Sequence, residues 1–424
     1  MVITKSRILL GATAVALSTV AVTAAGIHFS QSQAHIQNSP KELVDEVWQI
    51  INHQYVDTSF NNLNWQEVRQ EYLGRSYTDQ EQVYDAVREM LEQLGDPYTR
   101  FMDPEEFQNM QIDTSGELTG VGIQITKDEE SDRLIVIAPI EDTPAFAAGI
   151  IAKDIITAID GVDTKGMDVN EAVQLIRGKP GSQVTLTIDR DGATQDYDII
   201  RARIQIHPVR ARVSNTPIGD VGYIRLTQFS AQASKEMRDA IKDLEKDGVT
   251  GYVLDLRSNP GGLLYSSIDI ARMWMEEGTI VSTVDREGER ERKSANNSAL
   301  TDKPLTILVD GGSASASEIL SGALQDNQRA TLVGTQTFGK GLVQSVRRLG
   351  NGSGLAVTIA KYLTPNGRDI NKEGISPDFV VELKEAEREK LQSDRELIGT
   401  LEDPQFLKAI EILGQEARTR SNES

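Results

Sequence analysis

Apolar strand-like segments alternate with helical segments from Arg201 to about Leu383, and this alternation restricts the fold more than any other feature of the chain. The strand-like "LTILVD", for example, precedes the helical "SASEILSGALQDN", which the strand-like "ATLVG" follows. Such an order predicts an α/β domain with a largely parallel sheet, whose functional loops lie at the carboxyl ends of its strands. Three loops fit that position: "SNPGG", "GGSASASE" and "GTQTFGKG".

The segments on either side have different patterns. Residues 40–107 contain apolar residues at helical spacing, as in "ELVDEVWQIINHQY", and we expect a small helical domain there. Residues 116–200 change to short strands with one helix, "VNEAVQLIRG". The charged tail, residues 384–424, again predicts helix. The central α/β segment, residues 201–383, is therefore one of four folded parts.

The first 34 residues predict an export signal. Two basic residues precede a long uncharged apolar stretch, Ile8–Ile27, and Ser32 and Ala34 are small residues suited to a cleavage site. The stretch is also long enough to span a bilayer, so an uncleaved membrane anchor is the alternative. In both cases the rest of the chain lies outside the cytoplasm, and the periplasm and the thylakoid lumen are both compatible with this.

Composition excludes several classes of function. A formal charge of -20 disfavours binding to nucleic acid or to anionic lipid, so polypeptide or small-molecule partners are expected. The chain has no cysteine, which rules out disulfides, thiolate metal sites and a cysteine nucleophile. Only four histidines are present, which leaves little for a histidine-based metal site or triad. We expect no metal and no other cofactor.

Lys340 lies between two glycines in "TFGKGLVQ". The preceding residues nearly fit a phosphate-binding loop, but Gly341 replaces the required Ser or Thr, and a strand-like segment follows where such a loop opens a helix. The alternative is a general base, because burial lowers the pKa of a lysine by disfavouring its charged form. Flanking glycines would let another group approach closely. Without cysteine, the nucleophile would have to be a serine.

Three serines, Ser313, Ser315 and Ser317, lie at a predicted strand-to-helix turn. Such a turn exposes a hydroxyl group, and the N–H groups at the start of a helix face developing negative charge. Ser315 also forms the capping-box pattern S-x-x-E with Glu318, so its hydroxyl could instead satisfy a backbone donor. The spacing does not choose among the three serines.

The stretch "GGSASASEILSGALQDNQRATLVGTQTFGKGLVQS", with "LRSNPGG" and "LGDPYTRFM", resembles the carboxyl-terminal processing proteases, or tail-specific proteases. These are serine peptidases with a Ser-Lys dyad, and the resemblance extends from about residue 40 to about residue 385. It implies a multidomain α/β fold with crotonase-like layering of the protease core. It also implies Ser315 as nucleophile, Lys340 as base and Gln344 as the support of that base. A noncatalytic peptide-binding scaffold with an inert dyad is the competing hypothesis.

Two further expectations concern the surroundings of this dyad. The resemblance implies the backbone N–H groups of Ala316 and Gly261 as oxyanion donors, with Gly262 as the alternative to Gly261. Gln344 is expected to orient Lys340 by a hydrogen bond. Four residues of extended strand span roughly 13 Å, so either the chain turns near Gly341 or this contact is not direct.

Residues 116–200 resemble a PDZ domain, which binds a peptide C-terminus as an added strand. The resemblance implies that the loop of Gly120, Val121, Gly122 and Ile123 holds the peptide carboxylate and that Val173 lines the groove; for Val173, ordinary core packing is the alternative. The resemblance therefore also implies polypeptide substrates with free C-termini. The helical N-terminal segment and tail suit a homodimer contact. For the substrate there are two alternatives, the precursor of a photosystem II reaction-centre subunit and a more general set of periplasmic proteins.

Overall fold

The computed structural model describes residues 40–128, 131–140, 142–288 and 290–423. The predicted signal or anchor, residues 1–34, lies outside these ranges. Within them, no helix is both long and apolar enough to cross a membrane.

The chain divides into two compact units, which are described separately. Of the described residues, the larger unit comprises 40–107, Val209–Phe229 and 233–423. The smaller unit comprises Gln108–Pro208 and Ser230–Gln232.

The N-terminal part of the larger unit is helical, as predicted. Its elements are α1 (Pro40–Gln54), α2 (Trp65–Gly74), α3 (Gln80–Glu92), the short strand β1 (Arg100–Met102) and the start of α4 (Pro104–Ser115). The Asp79 side chain caps α3 by accepting the N–H of Gln82. The apolar faces of α1 and α3 are buried against each other, with Val47 and Met90 fully enclosed.

The smaller unit is built mainly of strands. Its remaining elements are β2 (Glu117–Gly120), β3 (Ile123–Asp128), β4 (Arg133–Pro139), α5 (Pro144–Ala147), β5 (Ile155–Ile159), β6 (Val162–Asp163), α6 (Val169–Ile176), β7 (Gln183–Arg190), β8 (Ala193–Ile200) and β9 (Ala202–Gln205). Strands β3, β4, β5, β7 and β8 form an antiparallel sheet in that order, and β2 pairs with β9. Alternate residues of β7, including Leu186 and Ile188, face the core, as the period of a half-buried strand requires.

The rest of the larger unit alternates strands and helices. Its elements are β10 (Val209–Thr216), β11 (Gly219–Leu226), α7 (Ala233–Lys246), β12 (Tyr252–Asp255), α8 (Leu264–Trp274), β13 (Thr279–Asp285), β14 (Arg290–Ser294), β15 (Leu305–Val309), α9 (Ala316–Asp326), β16 (Thr331–Gly334), β17 (Leu342–Arg348), β18 (Gly354–Leu363), β19 (Phe379–Val380), α10 (Glu385–Ser393), a 3-10 turn (Arg395–Leu397) and α11 (Pro404–Glu423).

One sheet of this unit has the strand order β10-β11-β12-β15-β16-β19. All pairs from β11 to β19 are parallel, while the hairpin β10–β11 is antiparallel, so the sheet is mixed. Helices cover both faces: Leu254 and Ile307 pack in the cluster that contains α7, α8 and α9, whereas their neighbours Val253 and Leu308 pack against α11. The predicted order of N-terminal helices, a strand-rich segment, an α/β core and a C-terminal helix is confirmed.

A second, antiparallel sheet joins distant parts of the sequence. Its order is β1-β18-β13-β14, and β17 also pairs with β18. Leu355 and Val357 of β18 pack into the same core as α1 and α3. This sheet therefore brings the segment around residues 96–102 next to the strands that follow the lysine loop.

Candidate active site

The three predicted loops meet at one edge of the mixed sheet. They follow β12, β15 and β16, which are neighbouring parallel strands, so their carboxyl ends lie side by side. Direct hydrogen bonds connect the loops: the Ala314 N–H donates to the Asn259 carbonyl (3.0 Å), and the Phe338 N–H donates to the Ser313 carbonyl (3.0 Å). The loops consequently form a single site within the larger unit.

Ser315 occupies an unusual position at the start of α9. Its φ is 54° and its ψ is -110°, a conformation that L-residues rarely adopt and that is common where a nucleophile is held on a tight turn. The residue is fully buried, and its hydroxyl forms no hydrogen bond with any described residue. The Glu318 N–H donates to the Ser315 carbonyl (2.9 Å), and the Ser315 hydroxyl makes no capping hydrogen bond to α9.

The other two serines have structural hydrogen bonds. The Ser313 hydroxyl donates to the Leu256 carbonyl (2.8 Å), and the Ser317 hydroxyl donates to the Asn259 carbonyl (2.9 Å). Both hydroxyls thus tie the serine loop to the loop after β12. Only Ser315, among these three serines, has a hydroxyl that is available for chemistry.

Lys340 is buried in the loop after β16, with 4% of its surface exposed. Its Nζ lies 4.7 Å from the centre of the Tyr98 ring. Burial lowers the pKa of Lys340, the nearby Arg100 acts in the same direction, and Asp96 and Glu318 act in the opposite one; the net pKa is about 8. The side chain can therefore lose its proton near physiological pH, as a general base must.

The glycines beside Lys340 make room for another part of the backbone. A Cβ on Gly339 would lie 3.0 Å from the carbonyl carbon of Lys372, and a Cβ on Gly341 would lie 2.5 Å from the N atom of Asn371. Gly339 also has a φ of +89°. The group that approaches these glycines is thus the segment around residues 371–374, which holds the lysine loop in place.

Glu318 connects the serine and lysine loops, and sequence reasoning considered it only as part of a capping box. Its fully buried carboxylate accepts the N–H of Ser315 (2.8 Å) and the N–H of Lys340 (2.9 Å). It also accepts the Gly339 N–H (2.7 Å) and the Thr337 hydroxyl (2.6 Å). Burial raises the pKa of Glu318, while these four hydrogen bonds favour the ionised form. One carboxylate thereby fixes the backbone on both sides of the site.

We expect Glu318→Gln to lower kcat about 10²-fold. The NH₂ group of the glutamine would face backbone N–H groups that need an acceptor, so hydrogen bonds between the serine and lysine loops would be lost and the two loops could separate. Unsatisfied buried donors should also reduce the free energy of unfolding by about 1–3 kcal/mol. Steady-state kinetics and thermal denaturation measure the two effects. Glu416→Gln is the matched control, since that carboxylate accepts the Thr331 hydroxyl outside the site. A Glu318→Gln variant with unchanged kcat would contradict this role.

The predicted oxyanion donors lie beside Ser315. A Cβ on Gly261 would be 3.0 Å from the Ser315 Cβ, so only glycine fits there. The Gly261 N–H donates to Asn259 Oδ1 (2.9 Å). The N–H groups of Gly262 and Ala316 donate to no described residue. Ala316 is therefore available as a donor, and the choice between Gly261 and Gly262 stays open.

Gln344 lies on β17, where the pairing with β18 shifts between Val343 and Gln344. Its Nε2 donates to the Thr358 hydroxyl (3.4 Å), and its Oε1 has no hydrogen-bond partner among the described residues. No hydrogen bond links Gln344 or the Ser315 hydroxyl to Lys340 in this arrangement. Such contacts commonly tighten only when substrate is bound.

The predicted peptide-binding residues lie in the smaller unit. Gly120 ends β2 and Ile123 begins β3, and the N–H groups of the intervening Val121 and Gly122 donate to no described residue. A Cβ on Gly122 would lie 2.4 Å from the Thr143 side chain, so this tight loop requires glycine. The Val121 side chain is core, whereas Val173 on α6 is half-buried.

Comparison with known proteins identifies the family. Residues 220–381 match the model of peptidase family S41, and residues 135–190 match a PDZ domain. The carboxyl-terminal-processing protease of Synechocystis is 49% identical over 81% of this chain and 81% of its own length. The chloroplastic C-terminal processing peptidase of Tetradesmus obliquus is 39% identical over 81% of this chain and 78% of its own.

A solved structure is also similar. The photosystem II D1 C-terminal processing protease superimposes with a TM-score of 0.58 and 37% sequence identity, covering 87% of this chain and 100% of that protein. Sequence and structure thus agree on a serine peptidase with a PDZ domain, which acts on polypeptides. This chain belongs to peptidase family S41, among the C-terminal processing proteases.

Proposed function

We propose that this protein is an exported endopeptidase that captures the free C-terminus of a polypeptide in its PDZ domain and cleaves near that end with Ser315 and Lys340. The observation that carries the proposal is the contrast between the three serines: Ser315 alone has a buried, unpaired hydroxyl, and Glu318 ties its backbone to that of Lys340.

The chemistry follows from these groups. Neutral Lys340 accepts the Ser315 proton as Oγ attacks the peptide carbonyl. The Ala316 N–H and the N–H of Gly261 or Gly262 stabilise the oxyanion. Protonated Lys340 then donates its proton to the leaving amine, which gives an acyl-enzyme and a free C-terminal fragment. Water, deprotonated by Lys340, hydrolyses the ester.

Two movements accompany this sequence. The Ser315 hydroxyl and the Lys340 amine must come within hydrogen-bond distance, because the hydroxyl has no hydrogen-bond partner among the residues that the structure describes. If Gly261 is the second donor, its N–H must also leave Asn259 Oδ1, whereas the Gly262 N–H needs no such release. Gln344 would then orient the lysine through its unpaired Oε1.

For the PDZ domain we propose carboxylate capture by the loop Gly120–Ile123, supported by the free N–H groups of Val121 and Gly122. An apolar C-terminal side chain would contact Val173 on α6. Backbone N–H groups bind a charged carboxylate more strongly than a neutral amide.

The domain limits 40–107, 116–200, 201–383 and 384–424 belong to the same proposal. Parallel strands β11, β12, β15 and β16, layered with helices α7, α8 and α9, support crotonase-like layering of the core. The sequence of residues 1–34 supports export, to the periplasm or the thylakoid lumen, and the chloroplastic relative is compatible with the latter. The D1 processing protease makes the C-terminus of the photosystem II D1 subunit the first substrate to test.

The test is cleavage of a disordered peptide with an apolar C-terminus, followed by mass spectrometry with the full chain. We expect cuts near the C-terminal end, and a roughly 10- to 100-fold lower kcat/KM, through KM, for the same peptide with an amidated C-terminus. Equal cleavage of both peptides would contradict carboxylate capture. Cleavage that persists in Ser315→Ala would contradict the proposed dyad.

A further inference from the structure

The strands β17 and β18 place Gln344 directly opposite Thr358. Both side chains are 1% exposed, so their polar atoms have to find partners within the protein. The Gln344 Nε2 donates to the Thr358 hydroxyl at 3.4 Å. Thr358 is therefore the hydrogen-bond partner of the Gln344 amide.

On its other side, Thr358 contacts the turn that precedes β1. The Thr358 hydroxyl donates to Asp96 Oδ2 (2.6 Å), and the Thr99 hydroxyl donates to the same oxygen (2.7 Å). The Thr358 N–H in turn donates to the Thr99 hydroxyl (3.0 Å). Strand β1 pairs with β18 just beyond, through Arg100 and Ala356, which holds this turn in register with Thr358.

The direction of these hydrogen bonds fixes the orientation of the Gln344 amide. An ionised carboxylate only accepts hydrogen bonds, and a threonine hydroxyl has one proton to give. Because Thr358 gives its proton to Asp96, only its lone pairs remain for Gln344, which must present its NH₂ group. The Gln344 Oε1 is thereby turned away from Thr358, and this buried atom has no hydrogen-bond partner among the described residues.

The same turn reaches the catalytic lysine. The Tyr98 N–H donates to Asp96 Oδ1 (3.0 Å), and the Tyr98 ring lies 4.7 Å from Lys340 Nζ. Tyr98 of this turn thus contacts Lys340, and Asp96 of the same turn contacts Thr358, the hydrogen-bond partner of Gln344. An acceptor held in a fixed orientation beside a lysine amine directs the lone pair of that amine toward its proton donor.

We infer that Asp96 and Thr358 are positioning residues, which form a relay that holds the Gln344 Oε1 ready to accept a hydrogen bond from Lys340 in the active arrangement. The inference rests on the proposed roles of Lys340 and Gln344. Neither Asp96 nor Thr358 touches substrate in this account, so their loss affects kcat and leaves KM nearly unchanged.

The main test replaces Thr358 by valine, which has the same shape and no hydroxyl. We expect kcat to fall about 10- to 100-fold, the same loss that we expect for Gln344→Ala, with little change in KM. Thr358→Ser keeps the hydroxyl and should restore most of the rate. Thr306→Val is the matched control, because the buried Thr306 hydroxyl has no hydrogen-bond partner in the part of the chain that the structure describes. The kcat of this variant should stay at the wild-type value.

A double-mutant cycle separates a relay from a merely structural role. If Thr358 acts through Gln344, Thr358→Val should cause little further loss in a Gln344→Ala background; losses that multiply would overturn the relay. Asp96→Asn should also lower kcat, since the asparagine amide can donate to the Thr358 hydroxyl. The Thr358 proton would then be free to point at Gln344, and the direction of both hydrogen bonds would be reversed. The kcat of Asp96→Asn is compared with that of the unmodified enzyme at a pH above the pKa of Lys340. The lysine is already neutral there, so loss of the Asp96 charge does not alter the fraction of neutral lysine.

The outcomes distinguish the relay from the proposed function. If Ser315→Ala is inactive and Gln344→Ala is impaired, but Thr358→Val has full activity, the relay is wrong and the proposed function stands. A fully active Gln344→Ala overturns the relay as well, because the relay acts only through that amide. An active Ser315→Ala instead overturns the proposed function.

Discussion

Ser315→Ala is expected to lower kcat/KM by about 10⁴-fold or more, because removal of a serine nucleophile leaves only the contribution of substrate binding and the oxyanion donors. The loss should not be accompanied by unfolding. The Ser315 hydroxyl has no hydrogen-bond partner in the described structure, and its removal therefore breaks no native hydrogen bond. The free energy of unfolding should remain the same or rise.

The neighbouring serines are the matched controls. Ser313→Ala and Ser317→Ala remove hydroxyls that donate to the carbonyls of Leu256 and Asn259, so each should destabilise the fold by about 1–3 kcal/mol. Both variants should nevertheless retain most of the activity at a temperature where they are folded. Peptide cleavage by mass spectrometry and thermal denaturation give the two readouts. The assignment fails if either control is inactive while folded, or if Ser315→Ala cleaves.

Lys340→Met is expected to abolish cleavage and, at neutral pH, to stabilise the protein. The pKa of Lys340 is lowered from 10.5 to about 8 by burial, so holding its charged form in the folded state has a cost on the order of 3 kcal/mol. Methionine fills a similar volume without that charge. Chemical denaturation at neutral pH should show a higher free energy of unfolding for Lys340→Met than for the unmodified protein. An unchanged or lower value would mean that burial of the charged lysine does not destabilise the folded state.

The pH dependence of the unmodified enzyme follows from the same pKa. The base works when neutral, so kcat/KM should rise about tenfold per pH unit below pH 8 and level off above it. Between about pH 8 and pH 10.5 the Lys340 amine binds fewer protons in the folded state than in the unfolded state. Its contribution to the free energy of unfolding therefore rises with pH across that window. The stability gain of Lys340→Met should correspondingly shrink over the same window. A flat kcat/KM profile from pH 6 to 9 would contradict a lysine base.

The alternation of strands and helices was enough to place the three loops at one edge of a sheet, because parallel strands bring their carboxyl ends together. The resemblance to the carboxyl-terminal processing proteases implied Ser315 and Lys340 as the dyad, and this assignment stays a prediction. Sequence spacing could not distinguish Ser315 from Ser313 and Ser317, since the difference lies in which hydroxyl meets a buried carbonyl.

Two features of the site depend on tertiary packing and had little or no signal in the sequence. Glu318 was visible only as a capping-box residue, although it also binds the backbone of Lys340 across the fold. Asp96 contacts Thr358 although 262 positions separate them in the sequence, because β1 and β18 pair in the second sheet. The expected contact of Gln344 with Lys340 is not formed at rest, and the register shift at Gln344 is a local detail that periodicity does not encode.

The most direct test of the account is to locate the acyl group during turnover. The full chain is mixed with an activated ester of a substrate peptide, quenched in acid and digested, and the modified residue is found by fragmentation in a mass spectrometer. We expect one acyl group on Ser315, formed faster as the pH rises through 8 and absent in Lys340→Met at neutral pH. An acyl group on Ser313, on Ser317 or elsewhere, or rapid turnover with no acylated serine, would contradict it.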